Sequence, residues 1–291
     1  MVREIMEVLR LQPGDVAVDC TLGYGGHAKE MLGAVQPNGR LIALDQDPIE
    51  LPKTEARLRA LGFPADSLVV KRMNYAGLAG LLAREFPEGA DAILADLGLS
   101  SMQIDDPRRG FTFKVDAPLD MRMNPARGEA AAAILAKTSE TKIAQWLREN
   151  GDDPRADIIA AAILRERPQT TSALAGLVRG AVAGRGRRIT EEEVESSVRR
   201  VFQAIRIAVN DEFSALETWL RNLPECLKPG GRVAVLTFHS GEDRRVKQAF
   251  KAGLLDGVYA AISTEVVRAS AVEQRANPRS APAKLRWAVK G

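Results

Sequence analysis

The strongest constraint on this 291-residue chain is a change of period along its length. Across roughly the first hundred residues, short β-rich runs alternate with helical patterns. The runs VAVDC (16–20), RLIALD (40–45), SLVVKR (67–72) and ADAILADLGL (90–99) read as strands, with helices expected over about 26–34, 49–61 and 75–86. That alternation demands right-handed crossovers and a parallel sheet buried on both faces. From about 106 to 210 the strand signal stops, and helical periodicity takes over in TKIAQWLREN, DIIAAAILRER, TSALAGLVRGAVA and EEEVESSVRRVFQAIRIAV. Helix starts are expected at TSE (138–140) and ITEEE (189–193), where acids follow a hydroxyl. A helix at 211–227 and a KPGG turn then lead into the strand GRVAVLTF (231–238). After a helix at 242–252, YAAISTEVV and KLRWAVK are expected to form a final strand pair. The expected fold is α/β: a doubly wound, mostly parallel sheet from residues 1–105 and 211–291, interrupted by an all-helical insertion at 106–210.

Composition narrows the function classes. At 45% hydrophobic the chain can bury a sizeable core, yet no apolar run reaches the roughly 20 residues of a membrane span. The first segment, MVREIMEVLRL, is amphipathic and carries acids, unlike a leader peptide, so a cytoplasmic protein without membrane contact is expected. Cys20 and Cys226 are isolated, and His27 and His239 are the only histidines, so neither a zinc site nor a disulfide framework can be written. Both cysteines are expected to be buried and inert. The net charge of +3 hides a partition: residues 1–105 sum to −5, 106–210 to +4, 211–239 to −1 and 240–291 to +5. Basic charge set apart from the first strands points to an anionic macromolecule, with AGRGRR (183–188) as a basic loop.

The candidate site begins at VDCTLGYGGHAKEML (18–32), where a strand passes through glycines into a helix. Gly23, Gly25 and Gly26 let a ligand approach the backbone and the helix start, although their spacing is not that of a dinucleotide fingerprint. Asp19, at the strand end, is poorly suited to a pyrophosphate and argues against a nicotinamide dehydrogenase. It suits a ligand bearing ammonium or sulfonium, such as S-adenosylmethionine. Asp45 ends the second strand about 20 residues beyond the glycines, where a carboxylate accepts both hydroxyls of a ribose. Asp47 reads as the start of the following helix. The segment DLGLSSMQID (96–105) ends the fourth strand and offers Asp96, Ser100, Ser101 and Gln103 but no cysteine, so covalent attack on a pyrimidine carbon has no nucleophile there. Its acceptors suit an exocyclic amine attacking a methyl group.

The series TLGYGGHA, ALDQDP, DLGLSSMQID, RGFTF, PLDMRMNP, FQAIRIAVNDE, TFHSGEDRRVK and NPRSAPAKLR resembles, in order and across nearly the whole chain, the motifs of the RsmH (MraW) family. These methyltransferases modify N4 of a cytidine in the decoding centre of bacterial 16S rRNA. The resemblance implies a class I methyltransferase (Rossmann-like) fold with a helical insertion, S-adenosylmethionine as cofactor, and 16S rRNA or the small ribosomal subunit as partner. It implies Gly25, Gly26 and His27 as the cofactor loop, Asp45 as ribose ligand, Tyr75 as the position flanking adenine, and Asp96 and Gln103 as further cofactor contacts. For the target base, Ser100 or the backbone near Asp96 is expected to accept hydrogen bonds from the amine protons, Asp120 and Arg122 to frame the ring or to pair with each other, and His239 to order the pocket or shuttle the departing proton. Phosphate contacts are expected from Arg244, Arg245, Lys247, Arg275, Arg279, Lys284 and Arg286, and from Arg185, Arg187 and Arg188.

The sequence departs from the family at named places. The His-x-Pro-Val stretch that precedes the family's first helix is absent, so a diverged or N-terminally truncated member is expected. ESSVRRVFQAIRI lacks the His-Pro-Ala that usually precedes FQA, and Gly241 stands where leucine is usual. These departures leave open a non-catalytic paralogue that binds RNA or the small subunit. A homodimer is also left open.

Overall fold

The computed structural model describes residues 1–183 and 189–291; the predicted contacts Arg185, Arg187 and Arg188 lie outside the described residues. The chain runs through α1 (Val2–Leu9), β1 (Val16–Asp19), α2 (Gly26–Ala34), β2 (Arg40–Asp45), α3 (Leu51–Arg59), β3 (Leu68–Arg72), α4 (Leu78–Glu85) and β4 (Ala90–Asp96). Six helices follow: α5 (Ser101–Asp105), α6 (Ala131–Lys137), α7 (Glu140–Glu149), α8 (Ala156–Glu166), α9 (Thr171–Ala183) and α10 (Glu191–Asn210). The chain ends with α11 (Glu212–Cys226), β5 (Leu227–Thr237), α12 (Ser240–Leu255), β6 (Tyr259–Ile262), α13 (Ala271–Ala276) and β7 (Lys284–Lys290). Two compact units result, one from Met1–Gly98 with Phe213–Gly291, the other from Leu99–Glu212. Residues 99–105, expected with the sheet, group with the helices.

In the first unit the seven strands take the order β3-β2-β1-β4-β5-β7-β6. Neighbours from β3 to β5 are parallel, and β7 runs antiparallel to both β5 and β6. This is a Rossmann-like, mostly parallel sheet, the doubly wound arrangement expected from the sequence. The two-residue period of a strand divides each one between two cores. Val18, Ile42, Leu44, Ile93, Val233 and Val235 pack with Trp219, Leu223 and Phe250 of α11 and α12. Ala17, Leu41, Ala43, Leu94, Ala234 and Leu236 pack with Ile5, Met31, Leu32 and Leu58 of α1, α2 and α3. Burial on both faces explains why these strands read as continuous apolar runs rather than alternating ones. Some boundaries differ from expectation. β5 begins at Leu227, because KPGG is a bulged strand start whose register shifts between Ala90 and Ala92 of its neighbour. Asn74 caps a 3₁₀ turn at Tyr75–Gly77 before α4 begins, which delays the expected helix by three residues.

The helical unit packs α6 to α10 around Leu135, Ile143, Leu147, Ile159, Ile163, Val178, Val201 and Ile205. Ser139 caps α7, and Thr190 with Glu193 forms a capping box on α10, as the hydroxyl-acid signals indicated. Among the described residues of this unit the only β feature is an isolated bridge, Pro118 to Thr170. No helix among the described residues is long and apolar enough to cross a membrane.

Candidate functional site

Three of the parallel strands end in aspartate, so the carboxyl edge of the sheet gathers Asp19 of β1, Asp45 of β2 and Asp96 of β4. Beyond β1 the backbone still pairs sideways: the Cys20 N–H donates to the Leu94 carbonyl and the Leu22 N–H to the Leu44 carbonyl. The glycine turn is thereby held between two strands. Gly23 (φ 48°) and Gly25 (φ 86°) take left-handed conformations that side chains resist. The Gly23 N–H donates to Asp45 Oδ2 at 2.9 Å, and the Asp47 N–H to Asp45 Oδ1 at 2.9 Å. Asp45 therefore sits fixed beneath the loop. From α3, the Thr54 hydroxyl donates to the Gly23 carbonyl at 2.6 Å. A Cβ on Gly25 would lie 2.8 Å from the Thr54 methyl, whereas one on Gly26 would meet nothing within 4 Å. Asp47 accepts the Ile49 N–H at 2.8 Å and shapes the entry to α3, the structural role expected for it.

Thr21 links two of the carboxylates. Its hydroxyl accepts the Asp96 N–H at 2.7 Å and is also bonded to the Asp19 carboxylate, whose Oδ1 accepts the Thr21 N–H at 3.0 Å. Asp19 is 2% exposed, and burial pushes its carboxyl up to about 7, with the charge of Asp45 adding to the rise against the Thr21 N–H. Burial, then the charge of Asp19, pushes Asp96 up to about 7 as well. Asp45 is also raised by burial, with the N–H bonds from Asp47 and Gly23 opposing. Asp96 Oδ1 is buried and has no hydrogen-bond partner. His27, second residue of α2, places Nδ1 3.4 Å from Asp96 Oδ2, and burial lowers its value to about 4, so the ring is neutral at pH 7.

One buried and two half-buried carboxyls facing a glycine loop, one with a buried and unused oxygen, form a site that would be relieved by cationic and hydroxyl donors. S-adenosylmethionine carries a sulfonium, an ammonium and a ribose diol, and so fits the residues present. Among the described residues no group of three or more His, Cys, Asp or Glu is arranged to hold a metal ion.

Two further predicted residues lie on the same unit. Tyr75 opens the turn after β3 and packs edge-on against Trp219, with ring centroids 5.8 Å apart. Asn74 beside it donates to Gln46 Oε1 at 3.3 Å, joining the exits of β2 and β3. His239 follows β5 as the first residue before α12. Its Nε2 lies 3.2 Å from Glu242 Oε1 but off the hydrogen-bonding direction, and both ring nitrogens are buried without a hydrogen-bond partner. Phe213 leans on the imidazole at 5.7 Å, and the Arg245 guanidinium lies 3.6 Å from the centre of the Phe213 ring. This packing accounts for the glycine where the family carries leucine. A Cβ on Gly241 would come within 2.6 Å of Phe213 and 3.2 Å of His239 Nδ1.

The remaining predicted residues belong to the helical unit. Ser100 and Gln103 form a capping box on α5: Ser100 Oγ accepts the Gln103 N–H at 3.3 Å, and Gln103 Oε1 accepts the Ser100 N–H at 3.0 Å. Asp120 holds Arg122 through two bonds of 2.9 and 2.6 Å, the pairing that the sequence left open, and its carboxyl stays below the ordinary range although burial opposes this. Arg109, 6% exposed, donates to the carbonyls of Arg122 and Met123, and Asn210 of α10 donates to the Met121 carbonyl. The PLDMRM segment is thus fixed from two sides.

Two of the predicted phosphate contacts are corrected. Arg286, 5% exposed, and Lys284 both bind Asp243, at 2.6 and 3.1 Å, because β7 lies in the interior of the sheet and its charges need an internal counter-ion. Arg245 is engaged with Glu217 at 2.7 Å. Arg244, Lys247, Arg275 and Arg279 remain exposed. Sequence reasoning missed Thr21, Thr54 and Arg57. Thr21 adjoins Asp19 and carried a weak local signal; Thr54 lies 31 residues from the loop it holds and carried none.

The family profile described as the MraW methylase family matches residues 1–291. Ribosomal RNA small subunit methyltransferase H 1 of Lachnoclostridium phytofermentans is 45% identical to the chain over 300 residues, covering 99% of the chain and 80% of that protein. The corresponding methyltransferase H 2 of Alkaliphilus metalliredigens is 44% identical over 294 residues, covering 99% of the chain and 84% of its own length. Ribosomal RNA small subunit methyltransferase H of Symbiobacterium thermophilum is 42% identical over 313 residues, covering 100% of the chain and 95% of its own length. With the profile spanning the chain from end to end, and relatives this similar over almost all of it, the chain belongs to the MraW methylase family.

Proposed function

We propose that this chain is an S-adenosylmethionine-dependent methyltransferase acting on the N4 amine of a cytidine in the decoding centre of 16S rRNA, with the small ribosomal subunit as its partner. The observation that carries the reading is the Asp19–Asp45–Asp96 cluster under the glycine loop, Asp19 buried and the other two half-buried, with Asp96 Oδ1 left without a partner, in a member of a methylase family. The cofactor supplies an electrophilic methyl group on a sulfonium. The chain's own residues bind, orient and handle protons. Asp45, already anchored by two backbone N–H groups, keeps lone pairs for the ribose hydroxyls. Gly25 and Gly26 open the start of α2, and Asp19 and Asp96 provide the negative charge that favours a cation. His27 stays neutral and preserves that charge balance. Tyr75 flanks the adenine, and Gln103 completes the cofactor contacts.

On the target side, the cytosine is taken unpaired or extruded, since its amine is inaccessible within a duplex. Ser100 Oγ accepts a hydrogen bond from the amine, which directs the nitrogen lone pair at the methyl group. Asp120 and Arg122 frame the base. His239, buried with both nitrogens unpartnered, receives or passes on the proton released after transfer.

The test is incubation with radiolabelled S-adenosylmethionine and small subunits that lack the modification, followed by nuclease digestion. Label in N4-methylcytidine supports the reading; cofactor binding without transfer to subunits or free rRNA refutes it in favour of the non-catalytic paralogue. Ser100→Ala is expected to reduce transfer with cofactor affinity intact, and an equal loss of both would remove Ser100 from the base side.

A further inference from the structure

Tyr24 is out of keeping with the rest of the chain's aromatics. It is 64% exposed, and no other aromatic side chain among the described residues is exposed to a comparable degree. Its place is equally unusual, between Gly23 and Gly25 of the loop that carries the candidate cofactor contacts. An aromatic ring in water at such a position costs solvation free energy without contributing to the core.

The ring is held in place rather than loose. The Arg57 guanidinium of α3 stacks on it, 4.1 Å from the ring centre. Arg57 is itself anchored: Nη2 donates to the Thr54 hydroxyl at 2.7 Å and to the Tyr24 carbonyl at 3.3 Å. Thr54 in turn bonds the Gly23 carbonyl at 2.6 Å, and the left-handed turn at Gly25 fixes the chain on the far side. One face of the ring is thus covered by a cation, and the exposure belongs to the other. A preorganised ring backed by a guanidinium suits a flat, electron-rich partner, and the adjacent positive charge suits a polyanion. A nucleobase on a phosphate backbone offers both.

We propose that Tyr24, backed by Arg57, is a stacking platform for an unpaired nucleobase of the substrate RNA, beside the loop that binds the methyl donor. The proposal rests on the reading of the protein as an RNA methyltransferase. It adds a contact that positions the substrate strand and takes no part in the chemical step. Stacking of one base on one ring is reflected in about a tenfold to hundredfold change in affinity on truncation to alanine.

The experiment compares wild type, Tyr24→Ala, Tyr24→Phe and Tyr24→Trp in cofactor affinity by calorimetry, thermal stability, and KM for unmodified small subunits across a series of salt concentrations. Tyr24→Ala is expected to raise KM for subunits by about tenfold to a hundredfold with cofactor affinity and melting temperature unchanged. Tyr24→Phe and Tyr24→Trp are expected to restore wild-type KM, and the slope of log KM against log salt should match wild type, because no phosphate contact is lost. An unchanged KM in Tyr24→Ala overturns the proposal, as does a loss of cofactor affinity equal to the loss for subunits, which would make Tyr24 a cofactor residue. Wild-type protein that transfers no methyl group to RNA overturns the functional reading itself, a result visible before any variant is compared.

Discussion

The carboxyl cluster makes cofactor affinity depend on pH in a defined direction. Asp19 and Asp96 each stand at about 7, so at pH 6 either would be roughly nine-tenths protonated if it titrated alone. They interact, so the protons leave the pair rather than two independent sites. A cation entering the site favours the ionised form, and binding must therefore release at least one proton below pH 7. Each pH unit below 7 then costs about 1.4 kcal/mol per proton released, a tenfold loss of affinity. Because a group at about 7 is already half ionised at pH 7, the dissociation constant for S-adenosylmethionine should weaken by about 15-fold from pH 7 down to 5.5 if one proton is displaced, and by more if both are. Calorimetry over pH 5.5–7.5 in two buffers of different ionisation enthalpy measures the affinity and counts the protons together. Asp19→Asn should bind more weakly and flatten the profile. A constant affinity over that range, with no proton released, would refute the assignment of these carboxyls to a cationic ligand. The same shifts govern the stability of the protein without cofactor. Raised carboxyls bind more protons folded than unfolded, so their contribution is complete below the unfolded value of 3.8 and is lost as pH rises through about 7. Its melting temperature should therefore fall between pH 5 and 8, and Asp19→Asn should lessen that fall.

Removing the hydroxyl in Thr21→Val leaves the Asp96 N–H without its 2.7 Å acceptor, at a cost of about 1–3 kcal/mol in denaturant unfolding, while Thr21→Ser should stay near wild type. An equal loss in both variants would show that packing, not the hydrogen bond, matters there. Gly25→Ala is strained by φ 86° and by the 2.8 Å approach to Thr54, and should lower the melting temperature. Gly26→Ala has open space around its Cβ and should weaken only cofactor binding; a matching loss of stability would contradict the geometry. Arg286→Ala removes one of the two cations on Asp243, leaving Lys284, and should destabilise by about 1.5–3 kcal/mol without altering the salt dependence of RNA binding. A reduced salt slope would instead return Arg286 to the phosphate contacts.

How much of this was legible beforehand follows from how local each signal is. The segments 26–34, 40–45 and 284–290 emerge with the expected bounds, since hydrophobic period and turn glycines act over a few residues. The acids at strand ends were legible for the same reason: a parallel strand's last residue faces the crevice by construction. KPGG misled because two glycines signal a turn equally well when they form a bulge. The fate of charge was not legible. Arg286 and Lys284 count toward a basic tail in the sequence, and only the sheet order, which places β7 between β5 and β6, shows that they serve Asp243. Nor could any spacing foretell that Thr54 and Arg57 of α3 would clamp Gly23 and Tyr24, or that Phe213 would occupy the space a leucine at position 241 would claim. The sequence by itself determined the order of elements, the glycine loop and the acids beside it, because these depend on backbone preference and period. Only the tertiary structure decided which charges are neutralised inside and which face solvent, because that depends on partners far apart in the chain and on how deeply each group is withdrawn from water.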